Sequence, residues 1–131
     1  MPIVSLYAAI LALMFVGLSV RTLRMRRSLR IAIGDAGNET MLRAMRVHSN
    51  FAEYVPLSLL VIYFVELSGA PLLFVNVLAA CLVVGRVSHA YGVSHVKENY
   101  AFRVLGMALT FTTLVAASAY LLYAHASRVA A

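Results

Sequence analysis

Arg43-Ala-Met-Arg46-Val-His48-Ser-Asn50-Phe-Ala-Glu53-Tyr54-Val-Pro56 opens an apolar run that continues through Leu57 to Val65. Crossing a bilayer takes about 20 residues of helix, and this run is long enough. Its first half nevertheless carries arginines, an asparagine and a glutamate. Residues three and four apart share one face of a helix. Arg43, Arg46, Asn50, Glu53 and Tyr54 therefore form a continuous polar stripe. A charge near the bilayer centre costs about 2.5–3.5 kcal/mol on insertion scales. The stripe must face other helices or a wet cavity, either as a structural ion-pair seam or as a binding site. Ionisable residues inside a membrane span mark function by default, which favours the site.

The composition supports a membrane reading of the whole chain. Hydrophobic residues make up 63% of the 131 positions, against about 45–50% in soluble domains. Lipid must cover the surplus, so residues 1–131 are expected to form one integral membrane domain. The net charge of +6 is almost entirely arginine. In a soluble protein it would suggest nucleic acid. Here it reads as membrane topology and contact with lipid headgroups, and no nucleic-acid partner is expected. The single cysteine excludes an internal disulfide framework and a cysteine-only metal site. His89 and His95 have no third ligand at suitable spacing, so no metal is expected. Gly-rich phosphate loops, HExxH and GxSxG are all missing from the sequence.

Outward from the polar stripe, the chain divides into four apolar runs. The first, Ile3 to Val20, starts without positive charge, and its arginines follow it. That order is the reverse of a cleaved signal and predicts a retained helix. Arg21 to Arg30 should prolong this helix into the headgroups. The turn Gly34-Asp35-Ala36-Gly37-Asn38 follows, with Asn38 placed to cap a second helix and Glu39 in its first turn. The second helix should run to about Leu67, with a kink at Pro56. Ser68-Gly69-Ala70-Pro71 is a short stop and restart, Gly69 suiting a C-cap and Pro71 the first helical position. A third helix is expected from Pro71 to about Ala90. A loop from Tyr91 to Tyr100 with His95, Lys97 and Glu98 comes next, then a fourth helix from Ala101 to about Tyr123. The fold class is thus all-α: an integral membrane four-helix bundle with both termini on one side. Loops one and three hold most of the arginines and the lysine, which puts them in the cytoplasm. Tyr7, Tyr120 and Tyr123 fall at the opposite interface. Gly106, Thr110, Thr113 and Ala117 give the fourth helix small or hydroxyl faces for close contact.

The polar residues converge at one depth. Helix two enters the membrane at the loop-one end, helix three leaves there with Arg86 and His89, and helix four re-enters there with Arg103. Arg46, Asn50, Glu53, Tyr54, Arg86, His89 and Arg103 can occupy one layer. Arginines beside one carboxylate and an amide suit a molecule that carries both anionic and cationic groups. Glu53 needs a cation, either Arg46 on its own face or a ligand ammonium. Of the smaller signals, Cys81 reads as an apolar filler and His48 as a subunit or headgroup contact. Glu66 reads as a cap or pair at the far interface, and His125 and Arg128 as interface anchors.

Arg46-x-x-x-Asn50-x-x-Glu53-Tyr54-x-Pro56 resembles the second-helix signature of the MAPEG family, the membrane-associated proteins of eicosanoid and glutathione metabolism. Gly85-Arg86-Val-Ser-His89-Ala-Tyr91-Gly92 and Arg103-Val-Leu-Gly106 are similar to segments of its short bacterial members. The resemblance implies a homotrimer of four-helix subunits in a bacterial inner membrane, with glutathione between subunits. The need to shield Arg43, Arg46 and Glu53 from lipid also predicts a homotrimer, with helix two nearest the axis. The resemblance implies that Arg46, Asn50, Glu53 and Tyr54 bind glutathione and that Arg86 corresponds to the family's helix-three arginine. His89 joins this binding set from the polar layer. Arg103 would stabilise the thiolate, which then attacks a lipophilic substrate as in a glutathione transferase or peroxidase. A cation near a thiol does favour its ionised form. Catalytic eicosanoid members carry tyrosines on helix three where this chain has His89 and Val93. That difference leaves open a non-catalytic protein that binds a lipid or small molecule in the same pocket.

Overall fold

The computed structural model describes residues 2–97 and 99–130. Four helices follow in order: α1 (Ile3–Leu29), α2 (Glu39–Leu67), α3 (Leu72–Ser94) and α4 (Tyr100–Val129). Each is long and apolar enough to cross a membrane, and no strand occurs among the described residues. The fold is an all-α, integral membrane four-helix bundle, as the hydropathy pattern requires.

The helices are longer than the apolar runs that announce them. At 1.5 Å per residue, α1 spans about 40 Å, well beyond a hydrocarbon core of about 30 Å. The arginine-rich segment is the surplus. Arg30 closes α1 in the left-handed region at φ 55°, and Arg26 donates to Gly34 O at 3.0 Å across loop one. Asn38 caps α2 as expected, its Oδ1 accepting from Met41 N–H at 2.9 Å. α2 continues unbroken through Pro56. It ends at Ser68, and Gly69 supplies the positive φ of 86° just beyond. Pro71 is the N-cap of α3 rather than its first residue, because its ψ of 133° is extended. α3 runs on to Ser94 and α4 to Val129, past the expected ends near Ala90 and Tyr123. Polar side chains are at home in the headgroup region and do not stop a backbone that is still gaining hydrogen bonds. The loop between α3 and α4 therefore shrinks to residues 95–99. Glu98, read as part of that loop, lies outside the described residues, as do Met1 and Ala131.

Polar clasps set the ends of the bundle. The Glu66 carboxylate, at the end of α2, accepts from Ile3 N–H and, at 3.2 Å, from Val4 N–H. It satisfies two of the orphan donors at the start of α1 and places a negative charge on the positive end of that helix. Arg128 donates to Ser68 O at 2.9 Å and ties the end of α4 to the same corner. Both termini and loop two thus share one end, where Phe74 and Tyr120 pack 5.3 Å apart. At the other end Arg21 donates to Ser94 Oγ at 2.7 Å. Along α1, Ser19 Oγ lies 3.0 Å from His48 Nε2, and Phe15 stacks on that imidazole at 4.8 Å. His48 is therefore a contact between α1 and α2 within the chain.

α3 and α4 make the most intimate pair. Gly106, Thr110, Thr113 and Ala117 are buried along one stripe of α4. At the crossing there is no room for side chains. A Cβ on Gly106 would lie 2.6 Å from Gly85 O and from His89 N, and one on Gly92 would lie 2.6 Å from Arg103 N. The apolar core lies beside this seam and includes Leu11, Phe51, Val55, Ile62, Val75 and Leu82.

Three substitutions check this account. Gly106→Ala should destabilise by about 1–3 kcal/mol, since the facing atoms are backbone and cannot move aside. Gly17→Ala, whose Cβ meets nothing within 4 Å, should leave thermal unfolding in detergent unchanged or raise it slightly, as alanine is the better helix former. Glu66→Ala should cost about 1–2 kcal/mol through lost capping and dipole stabilisation. Equal unfolding temperatures for Gly106→Ala and Gly17→Ala would count against the crossing.

Candidate functional site

Three helices bring their polar residues to one cavity. Arg43, Arg46, Asn50 and Glu53 from α2, His89 from α3 and Arg103 from α4 line about 290 Å³ of space near the loop-one end. Five of the seven residues singled out in the sequence thus border a single cavity. The other two, Tyr54 and Arg86, lie directly behind it.

Arg86 organises the back wall. It is 1% exposed and donates to Asn50 Oδ1 at 2.8 Å, to Thr110 Oγ1, and to Gly106 O at 3.3 Å. Thr110 Oγ1 in turn donates to Gly106 O at 2.8 Å. The Arg86 guanidinium also lies 5.7 Å from the centre of the Tyr54 ring. These bonds draw on both Nη atoms of a planar fork, which lysine cannot reproduce. They also fix the Asn50 amide. Its oxygen is taken by Arg86, which leaves the NH₂ end as the donor available to the cavity.

The front wall is built differently. Arg46, Glu53 and Arg103 are exposed on the single chain. Glu53 and Arg46, two turns apart on one face of α2, do not pair with each other. Among the described residues the ion pair of this region is Arg43 with Glu39, at 3.0 Å. The alternative in which Arg46 neutralises Glu53 is therefore not realised within the chain. Arg103 is seated by the close crossing. Asn99 N–H donates to Gly92 O at 3.1 Å, and Arg103 N–H donates to Asn99 O at 3.1 Å. The absence of a Cβ at Gly92 lets the α4 backbone come this near. The guanidinium of Arg103 projects from the first turn of α4, where the helix dipole adds positive potential.

Some residues of the site were not singled out by the sequence. Glu39, Leu42, Ser49 and Val93 also line the cavity. Thr110 and Gly106 stood out only as small surfaces for helix contact, yet they are acceptors for Arg86. The available signal was the need of a buried guanidinium for several acceptors on facing helices. The cavity holds separated positive and negative groups at the depth where α2 enters the membrane. Such a lining suits a ligand with carboxylates and an ammonium.

The two walls respond differently to mutation. Arg86→Lys should lower stability by about 1–3 kcal/mol, because buried acceptors lose their donors. Arg46→Lys, at an exposed position, should stay within about 0.5 kcal/mol of the parent. Thermal unfolding of the two purified variants measures the contrast, and similar losses would contradict the division into walls.

Comparison with known proteins agrees with this architecture. The chain is similar to the protein named Inner membrane protein YecN in Escherichia coli K12 and in Escherichia coli O6:H1. Each relative is 33% identical over 111 residues, covering 85% of this chain and 83% of the relative. No solved structure matches. Residues 4–123 match the MAPEG family, so that with four membrane-length helices and the polar layer across α2, α3 and α4, the chain belongs to the MAPEG family.

Proposed function

We propose that this chain is a glutathione-binding protein of the bacterial inner membrane that acts as a glutathione transferase or peroxidase on lipophilic electrophiles. The observation that carries the reading is the pair of opposite charges, Arg46 and Glu53, open to one cavity and not joined to each other. Holding both in a membrane-spanning helix is costly unless a ligand or a second subunit engages them. Glutathione presents two carboxylates, an ammonium and a thiol. Arg43 and Arg46 match the carboxylates, Glu53 the ammonium and the Asn50 NH₂ a backbone carbonyl. Arg103 lines the same cavity, and its charge would favour the thiolate of a thiol bound beside it. In the transferase reaction the thiol proton passes to solvent, the thiolate sulfur bonds to the electrophilic carbon, and the leaving group departs with its electron pair. In the peroxidase reaction the thiolate sulfur bonds to the terminal oxygen of the hydroperoxide, the O–O bond breaks and the alcohol leaves after taking up a proton. The sulfenic acid then condenses with a second glutathione to give the disulfide and water.

The cavity opens on a face of α2 that no helix of the same chain covers. A volume of about 290 Å³ is at the lower end of the range for small-molecule sites, about 300–1,000 Å³. A homotrimer with α2 nearest the axis would cover the opening and supply the remaining wall. The arginine-rich end of α1 with loop one, and loop three with Lys97, then face the cytoplasm under the positive-inside rule. One feature favours a second reading, in which the pocket binds a ligand without chemistry. His89 and Val93 stand where catalytic eicosanoid members of the family carry tyrosines, and both line the cavity.

Glu53→Gln separates ligand contact from scaffold. The variant should unfold at the parent temperature, because Glu53 makes no ion pair within the described chain. Its glutathione affinity should fall by about 1.5–3 kcal/mol, the worth of a hydrogen bond to a charged group. Parent-like affinity would show that the pocket is misassigned. Turnover is measured with an aryl halide and with organic hydroperoxides. Arg103→Ala should abolish it while leaving most glutathione binding intact. Binding without turnover in the parent protein would leave the second reading.

A further inference from the structure

A second cavity, separate from the first, runs along the outer face of α1. It is an open groove of about 770 Å³ bordered by Gly17, Val20, Arg21, Arg24 and Ser28 of α1 and by Thr40 of α2. Positions 17, 20, 21, 24 and 28 recur every three or four residues and form one helical face. Their order along the helix matches the depth profile of a membrane leaflet. From Ile3, about 20 residues cross the hydrocarbon, which sets its boundary near residue 22. Gly17 and Val20 lie on the hydrocarbon side. Arg21 and Arg24 straddle the boundary, and Ser28 and Thr40 lie beyond it.

The groove is strongly one-signed. No acid lines it. Of the acids in the adjoining segment, Asp35 accepts from Gly37 N–H at 3.2 Å and Glu39 is paired with Arg43 at 3.0 Å. Arg21 is held in place by its bonds to Ser94 Oγ at 2.7 Å and Ser94 O at 3.4 Å. A guanidinium has more donors than these two bonds use. Arg24 is exposed on the same face. The amino end of α2, at Asn38 and Thr40, also borders the groove and adds the positive end of a helix dipole. On the apolar side, Gly17 leaves a gap: a Cβ there would meet nothing within 4 Å.

We propose that this groove is a binding site for an anionic phospholipid. Arg21 and Arg24 hold the phosphate, Ser28 and Thr40 bond the headgroup hydroxyls, and an acyl chain lies over Val20 into the gap at Gly17. The anionic class follows from charge. A zwitterionic headgroup would bring its ammonium against two arginines with no carboxylate in the lining. A free phosphate would use the arginines and leave the apolar half of the groove empty. The site is independent of the cavity between α2 and α4, so either assignment stands if the other fails.

The test uses the full-length protein, purified in a non-ionic detergent. Short-chain phosphatidylglycerol, short-chain phosphatidylcholine and inorganic phosphate are titrated separately, with thermal unfolding and native mass spectrometry as readouts. Phosphatidylglycerol should bind at least tenfold tighter than phosphatidylcholine, and inorganic phosphate should give no shift. Arg24→Gln should weaken phosphatidylglycerol about fivefold, the factor expected for one arginine at an anionic surface. Arg30→Gln, equally charged but outside the groove, should stay within about twofold of the parent. Gly17→Leu keeps every charge and fills only the apolar end. It should weaken the lipid several-fold while the apo protein unfolds at the parent temperature. Equal effects of Arg24→Gln and Arg30→Gln would overturn the proposal in favour of diffuse surface attraction. Phosphate binding as tight as the lipid would reduce the groove to a small-anion site. Displacement of the lipid by glutathione would assign the groove to the other cavity's ligand. Lack of any lipid effect, with Ser28→Cys cross-linking between copies of the chain, would overturn the proposal and show that a second copy covers the groove.

Discussion

Arg86 can stand buried in a membrane bundle because α3 and α4 touch backbone to backbone. Its acceptors include Gly106 O and Thr110 Oγ1 on α4 and Asn50 Oδ1 on α2. The first two come within reach only where Gly85 and Gly106 remove the side chains that would hold the helices apart. The close approach and the buried cation require each other. Without the glycines the guanidinium would face hydrocarbon with its donors unmet, a penalty of several kcal/mol. Without the guanidinium Asn50 Oδ1 and Thr110 Oγ1 would lose the donor that joins them. A single seam therefore serves both cohesion and site construction, and Asn50 is oriented at its edge.

The polar layer divides into a fixed half and an open half. Arg86 is held by Thr110, Gly106 O and the Asn50 oxygen. Arg46 and Glu53 face outward with opposite charges apart. A membrane protein can maintain this state only because the residues sit where α2 enters the bilayer, within reach of interfacial water and of other molecules. The open half is therefore the part whose energy changes when something arrives. The fixed half supplies the rigidity that keeps its geometry ready.

Much of this was legible in the sequence, for identifiable reasons. Long apolar runs with short polar interruptions leave little alternative to membrane helices, and the spacing of Arg46, Asn50 and Glu53 fixes a shared face. Asn38 and Gly69 behave as local chemistry demands. The helix ends beyond Ala90 and Tyr123 were not legible, because hydropathy reports where lipid stops rather than where the backbone stops. The partners of Arg86 were also hidden. Thr110 and Gly106 carry no charge, and only the crossing of α3 with α4 brings them to the guanidinium. Likewise Glu66 could be placed at the far interface by its position alone. Its partners, the amide groups of Ile3 and Val4, are more than sixty positions away in the chain.

α1 is the least enclosed of the four helices, with only Val4 and Leu11 buried. Its attachment rests on a few polar clasps at different heights: Glu66 at the start, Ser19 with His48 partway along, and Arg21 with Ser94 near the far end. Apolar packing against so little surface is slippery, since one aliphatic side chain replaces another with small change. The clasps are directional and act as registration marks. They set both the height and the rotation of α1 against the rest of the bundle. The lipid-facing positions between them are therefore free to drift among apolar residues, while a change of one helical turn in their spacing would mis-index the whole first span.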